Sequence, residues 1–478
     1  FKKKKFKKKI KKSNIKKNKI ISITKQFKNG FKIHIKERNK FNTNTLLFLV
    51  KTGGINEGKY SGISHLLEHL LLSGTKNIPS SSMLNKALEK YGTKINGYTT
   101  HQKTAIHLTF PPSKLEIIFK IFCDLIKKSV LDNYKIEEEK KVVLNEKFYR
   151  KDLVKNEFYK LSMNYIFKNT IFEELVIGDE KSLNLIKKYH LHAYMVSRYL
   201  LKNSVLVLSG KLKFSKKNIL KMINNEFNID NLSKEYEMDL TNTYYKNYKK
   251  ELDYFKKINN NLKLNNLKLN FKNKIFKTNN HQIYIYFYFK TKSSLVKKNE
   301  KDEIDNEIQK FINTYLDKGM SSELSDIVRE QEHLTYSIKT STIEFSEFNL
   351  YNINCNTLAS DIYLEQILKK IFLILENLQN KLFKKEEIIN VHKKQLYRKI
   401  MNINKNITYC ENIAEELLFN DINSKHYKKY KNKKIDILKI KPINIQNYCK
   451  KTFNKKNRCI LIFSPINHSK KIKDLLNQ

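Results

Sequence analysis

Gly62-Ile63-Ser64-His65-Leu66-Leu67-Glu68-His69-Leu70-Leu71-Leu72 decides the reading of this 478-residue chain. Apolar residues occupy most faces of the stretch and Gly74 stands just past its end, which predicts a buried helix with a glycine stop. Three polar residues interrupt it. His65 and His69 are four apart, so both imidazoles project from one face, one turn apart. Glu68 lies beside them on that face. Two nitrogen ligands on a rigid face suit a tetrahedral zinc ion, and the adjacent carboxylate is placed to take a proton from water activated there. The bland alternative is a pair of core histidines bonded to backbone carbonyls.

Composition bounds what surrounds this helix. The length suits two to four domains with real cores, and hydrophobic residues make up 40% of the chain, so most of it should fold. No apolar run approaches a membrane span. The five cysteines, Cys123, Cys355, Cys410, Cys449 and Cys459, contain no C-x-x-C pair. That fits reduced thiols and argues against a cysteine zinc site. A reducing compartment makes the cytoplasm the expected location, with the mitochondrial matrix as the alternative if the basic N-terminal run is a targeting segment.

The net charge of +47 ordinarily suggests nucleic acid or an anionic membrane as partner. Nearly all of the excess is lysine, however, with six arginines in the chain, abundant Asn and Ile, and no Trp. This is the signature of strongly AT-biased coding, and no nucleic-acid-binding motif accompanies it. No specific nucleic-acid partner is expected.

Residues 1–19 read as a basic disordered arm. Residues 20–50 read as strands, with Asn29-Gly30 as a hairpin turn. Pro79-Ser80-Ser81-Ser82 caps a helix at 83–91. The stretch 95–101, Ile-Asn-Gly-Tyr-Thr-Thr-His, reads as a strand followed by an alternating strand at 105–110, and an edge strand beside a metal helix can pair with an extended peptide. Helices are expected at 112–129, 134–150 and 183–200, and a strand at 204–209. In the helix at 134–150, Glu139 and Glu146 are seven apart and share a face over two turns. Glu146 falls 77 positions after His69. Residues 225–280 are rich in Lys, Asn and Tyr and read as a linker. Beyond it, helices are expected at 302–318, 360–381 and 385–402 and a strand at 458–463. A weak echo, helix-turn-strand at 84–110 and again at 324–353, suggests a duplicated unit.

The H-x-x-E-H pattern at 65–69 is the inverzincin signature, the reverse of the zincin H-E-x-x-H. With it, the chain resembles the pitrilysin/insulysin-type metallopeptidases, and in size their small two-domain branch, which includes the catalytic subunit of the mitochondrial processing peptidase and its bacterial relatives. The resemblance covers roughly residues 20–470. It implies an α+β fold of two similar halves, each a mostly antiparallel sheet with helices packed on one face. The halves are a catalytic N-terminal domain at 20–224 and a C-terminal domain at 281–478.

The resemblance also implies a zinc ion held by His65, His69 and Glu146, with Glu139 supporting the site. Glu68 is then the general base, and Asn96, Gly97, Tyr98 and Thr99 resemble the family's N-A-Y-T strand, which holds substrate by main-chain pairing. In the second half, Arg329 and Tyr336 match the family's R-x-x-x-G-L-x-Y-S, whose Arg and Tyr hold substrate and polarise the scissile carbonyl. His333 stands where that motif has glycine. The bland reading of Arg329 is a helix salt bridge with a neighbour such as Asp326.

The activity implied is zinc-dependent hydrolysis of extended peptides or small unfolded proteins. The chain is expected to act as a homodimer, or as a heterodimer with a degenerate relative. Presequence processing is the alternative activity, but the acidic positions of that specificity are occupied here by Asn156 and Lys160. A further alternative is a non-catalytic structural relative, like the respiratory-complex core subunits; the intact His65, Glu68, His69 and Glu146 argue against it.

Overall fold

Strand β1 (Ser22–Gln26) and strand β2 (Lys32–Glu37) form the expected antiparallel hairpin, with Gly30 at φ +85° in the turn. Strand β3 (Asn44–Val50) is buried along its whole length. After it come helix α1 (Ile63–Leu72) and helix α2 (Ser81–Glu89), whose Ser80 hydroxyl accepts a hydrogen bond from Met83 N at 3.2 Å as an N-cap. Strands β4 (Lys94–Thr99) and β5 (Thr104–Phe110) follow, then helices α3 (Leu115–Lys127), α4 (Asn133–Lys151), α5 (Val154–Ile166), α6 (Glu180–Leu185) and α7 (Lys188–Arg198), strand β6 (Ser204–Gly210) and helix α8 (Lys216–Phe227). The computed structural model describes residues 20–151, 153–173, 176–227, 242–261, 267–296, 299–403, 405–424 and 436–477. The basic arm at 1–19 lies outside these residues, as do 228–241 and 262–266 of the expected linker.

The strands form one sheet in the order β1-β2-β6-β3-β5-β4, antiparallel throughout except for the parallel β2–β6 pair. The second half runs through helix α9 (Asn242–Asn261), strands β7 (Lys274–Lys277) and β8 (Gln282–Lys292), helix α10 (Glu300–Asp317), strands β9 (Ile338–Glu344) and β10 (Phe348–Leu358), helices α11 (Asp361–Asn380), α12 (Lys385–Ile403), α13 (Asn406–Phe419) and α14 (Pro442–Thr452), strand β11 (Arg458–Ser464) and helix α15 (Lys470–Asn477). Its sheet has the order β7-β11-β8-β10-β9, again with one parallel pair, β7–β11. The succession β2-β6-β3-β5-β4 therefore recurs as β7-β11-β8-β10-β9. The chain is an α+β protein of two similar halves.

Each sheet carries its own half's helices on one face. Leu46, Phe48 and Val50 of β3 join the first core with α1 and α3, and Ile283, Ile285, Phe287 and Phe289 of β8 join the second with α10 and α11. The opposite faces are covered reciprocally. Leu47 and Leu49 of β3 pack on Cys410, Ala414 and Leu417 of α13, while Tyr284, Tyr286 and Tyr288 of β8 meet Phe158, Met163 and Ile166 of α5. One helix from each half thus closes the sheet of the other. Polar contacts fix the first of these seams. Lys32 Nζ donates to Leu417 O (2.7 Å) and Asn420 O (3.0 Å) at the C-terminal end of α13, where the helix dipole favours a cation.

Two expected elements differ. The helix at 183–200 is broken into α6 and α7, because Ile186 adopts an extended conformation between them. The Lys/Asn-rich stretch at 225–280 contains a 20-residue helix, α9, packed along α7 through buried Tyr248 and Phe255. Its aromatic and apolar positions, 244, 248, 255 and 258, keep a helical period inside a polar background.

Candidate metal centre

Helix α1 is driven into the core by Leu66, Leu67, Leu70 and Leu71, all fully buried. Its N-terminus is held by Glu57, whose carboxylate accepts from Gly62 N (2.7 Å) and Ser64 N (3.0 Å). A carboxylate satisfies two otherwise orphan donors there and complements the helix dipole. Ser64 is tied further to the buried Tyr194 hydroxyl at 2.6 Å. The face that remains carries His65, Glu68 and His69, and the adjoining helix α4 supplies Glu139 and Glu146.

His65 Nε2 lies 3.6 Å, and His69 Nε2 3.4 Å, from the same oxygen, Glu146 Oε2. One donor atom from each of the three residues falls within 4.8 Å of the others, and no other such group of three His, Cys, Asp or Glu occurs among the described residues. Donors around a tetrahedral ion with bonds of 2.0–2.2 Å sit about 3.3–3.6 Å apart, so the set fits a small divalent metal. On the far side of the ring, His69 Nδ1 faces Glu139 Oε2 at 3.4 Å, a carboxylate–histidine pairing that fixes which nitrogen points inward. Glu68 is 5% exposed, and its Oε2 accepts from Thr99 Oγ1 at 2.6 Å. A cavity of about 480 Å³ opens in front of these groups, with Asn96, Gly97, Tyr98, Thr99 and Arg150 also in its wall. Strand β4, which carries 94–99, is the outer strand of its sheet.

The electrostatics separate the two histidines. Burial, with His69 beside it, pushes His65 down to about 4. Burial also opposes charge on His69, but Glu139 and Glu146 outweigh it and raise that ring to about 9. Hydrogen bonding to His69, with His65 and Arg150 nearby, holds Glu146 at about 2. Burial raises Glu68 despite the Thr99 hydrogen bond. At pH 7 the three candidate ligands of the metal-free site therefore hold a proton on His69, with His65 and Glu146 unprotonated. A metal ion must displace it, so binding is expected to release about one proton per ion, and affinity to rise about tenfold per pH unit as pH climbs toward 9. Calorimetry in buffers of differing ionisation enthalpy counts the proton; a count of zero at pH 7 contradicts this assignment.

The structure brings His65, Glu68, His69, Glu139, Glu146 and the 96–99 strand together around one cavity. Arg329 and Tyr336 lie elsewhere. They sit at a π-helical turn (Ser325–Gln331) and just before β9, with the guanidinium carbon 5.2 Å from the centre of the Tyr336 ring. Tyr336 is 82% exposed, and neither residue lines the metal cavity of its own chain. Arg329 pairs with a neighbouring carboxylate, as its bland reading expects, and the partner is Glu330 (3.2 Å) rather than Asp326. His333 has φ +52°, so the loop keeps the left-handed turn that a glycine would give freely. Arg150 was not anticipated. It pairs with the second oxygen of Glu146, one turn along α4, and its i+4 spacing from that glutamate in an arginine-poor chain is the signal that marks it.

The sequence pattern described as Insulinase (Peptidase family M16) matches residues 33–171, and that of the Peptidase M16 inactive domain matches 186–396. The chain belongs to peptidase family M16. Among its relatives, this M16 chain is 26% identical to cytochrome b-c1 complex subunit 1 of Rattus norvegicus, over 38% of this chain and 37% of that one. It is 23% identical to an uncharacterized zinc protease of Rickettsia bellii, over 39% and 45%. It is 27% identical to the mitochondrial-processing peptidase subunit beta of Saccharomyces cerevisiae, over 32% of each. The matched segments thus span less than half of these curated relatives. The fold is that of a Helicobacter pylori protease, with a TM-score of 0.76, 16% identity, and coverage of 93% of this chain and 100% of that one. No helix among the described residues is long and apolar enough to cross a membrane.

Proposed function

We propose that this M16 chain is a zinc metalloendopeptidase acting on extended oligopeptides or small unfolded proteins. The observation that carries this reading is the convergence of His65, His69 and Glu146 beside a buried carboxylate outside the donor set, Glu68. His65, His69 and Glu146 hold the zinc. Bound there, zinc supplies Lewis acidity, which polarises a peptide carbonyl and makes water acidic enough to lose a proton near neutral pH.

The chain's own residues do the rest. Glu68 accepts the proton of the attacking water and passes it to the leaving amine as the C–N bond breaks, giving one carboxylate and one amine. Its raised affinity for protons suits both halves of that exchange. The outer strand β4 offers its unpaired side at Asn96–Thr99 for an extended peptide to add as a further strand, displacing the Gly97 N to Asn96 Oδ1 hydrogen bond (3.0 Å) where it needs that donor. Glu139 keeps His69 in one tautomer. Arg150 places a cation in the cavity wall, and Asn156 Nδ2 donates to Arg150 O at 3.2 Å. Neither Asn156 nor Lys160 offers a carboxylate for a basic side chain, which favours a general peptide substrate over presequence processing.

The carbonyl oxygen needs a second donor as charge develops on it. Neither Arg329 nor the exposed Tyr336 lines its own chain's cavity, so the proposed working form is a homodimer in which each copy presents this pair to the other's zinc site. Mixing Glu68→Gln and Tyr336→Phe copies tests it. Random reassortment makes half the dimers mixed, each with one intact site, so about a quarter of wild-type activity is expected. No recovery on mixing rejects the shared site.

A further inference from the structure

Glu68 meets strand β4 through both of its oxygens, one by a hydrogen bond and one by close approach. Thr99 Oγ1 donates to Oε2 at 2.6 Å, within the range of a charge-assisted bond. The other oxygen, Oε1, lies over Gly97. A Cβ at that position would fall 2.6 Å from Oε1, 3.0 Å from Glu68 Cγ and 3.1 Å from Ala105 O. The family strand that this segment resembles has alanine there. Gly97 and Thr99 are two apart and share the face of β4 that meets α1, while Tyr98 between them packs on the opposite side against the α13 cluster. The strand is thereby braced from behind by the second half of the chain.

We infer that Gly97 and Thr99 together form a seat that positions the Glu68 carboxylate, so that the strand assigned to peptide pairing also sets the general base. The Thr99 hydroxyl occupies one oxygen and fixes the plane of the carboxylate. The absence of a side chain at Gly97 leaves the other oxygen room beside the cavity, where it accepts the proton. Thr99 is a positioning residue in this scheme. It acts through Glu68, and its hydroxyl rather than its methyl group is what matters. The inference rests on the zinc-peptidase reading, but the seat itself is a geometric property that can be examined separately.

The test compares Thr99→Val, which keeps the shape and deletes the hydroxyl, with Thr99→Ser, which keeps the hydroxyl. Three readouts are taken: kcat and KM for a quenched peptide, bound zinc, and the crystal structure of each variant. Thr99→Val is expected to lower kcat by about 10–100-fold, as sub-ångström misplacement of a reacting group does, with KM within about twofold and zinc unchanged. Thr99→Ser is expected to restore kcat to within about threefold of wild type. In the crystal, the Glu68 carboxylate should leave β4 in the valine variant while the main chain of β4 stays in place. A valine variant with normal kcat, a loss appearing only in KM, or a serine variant as damaged as valine would each overturn the seat. So would a carboxylate still lying over Gly97 in the valine crystal, whether or not the protein cleaves peptides. Absence of hydrolysis by wild type counts against the peptidase reading alone.

Discussion

Glu68→Gln is expected to keep one zinc per chain and to lose peptide hydrolysis by about 10²–10⁴-fold, the range that a positioned general base contributes. The two effects separate because of where the carboxylate lies. Glu68 is not among the three donors, His65, His69 and Glu146, that lie within 4.8 Å of one another, and its oxygens are turned toward Thr99 and Gly97 on β4. Glutamine has the same shape, can still accept the Thr99 hydrogen bond through its carbonyl, and leaves His65, His69 and Glu146 undisturbed. It cannot accept a proton at catalytic pH. Metal analysis and single-turnover hydrolysis on the same preparation read the two halves of the expectation. Normal turnover by this variant rejects Glu68 as the base; loss of zinc would mean that it is a ligand.

Glu146→Gln is expected to lose both. Glu146 Oε2 is the atom to which both imidazoles converge, at 3.6 and 3.4 Å. Its charge also does more than ligate. It shares with Glu139 the work of holding a proton on His69 in the metal-free state, and it pairs with Arg150. Removing the negative charge leaves the Arg150 guanidinium beside the two imidazoles with no carboxylate between them, a site that repels a dication. Zinc affinity should fall by more than the roughly 10–100-fold seen when a merely supporting group is lost. Thermal unfolding gives a second readout. A ligand at 100 times its Kd stabilises the native state by about 2.7 kcal/mol, so wild type should gain melting temperature on adding zinc and Glu146→Gln should not. Equal zinc shifts in both proteins would exclude Glu146 as a ligand.

Much of the site was legible because its information is local. His65, Glu68 and His69 lie on two turns of one helix, and Glu139 and Glu146 repeat by seven on another, so residue spacing alone places them on faces. The outer strand at 94–99 announces itself by its alternating neighbour. What escaped was set by long-range docking. The apolar run in β3 is buried on both faces, which demands a cover for each; which helix provides the second is decided by α13, more than 350 residues away, and no period in either segment records it. The same holds for α5 on the second sheet. Helix α9 was obscured for a different reason. Its apolar positions keep helical spacing, but lysine and asparagine make up half of the helix, and the average composition reads as linker. Arg329 and Tyr336 were recognised as a pair, and the structure does place them together, yet sequence could not show that their own chain keeps them out of the metal cavity.

The central claim is that His65, His69 and Glu146 hold a zinc ion on which hydrolysis depends. The most direct measurement is cleavage of a mixed quenched-peptide library by the wild-type protein as purified, after chelation, and after return of stoichiometric zinc. The expected result is one zinc per chain, cleavage abolished by chelation, and recovery at one equivalent. Cleavage that survives complete removal of the metal, or a wild-type chain that binds no zinc, would contradict it.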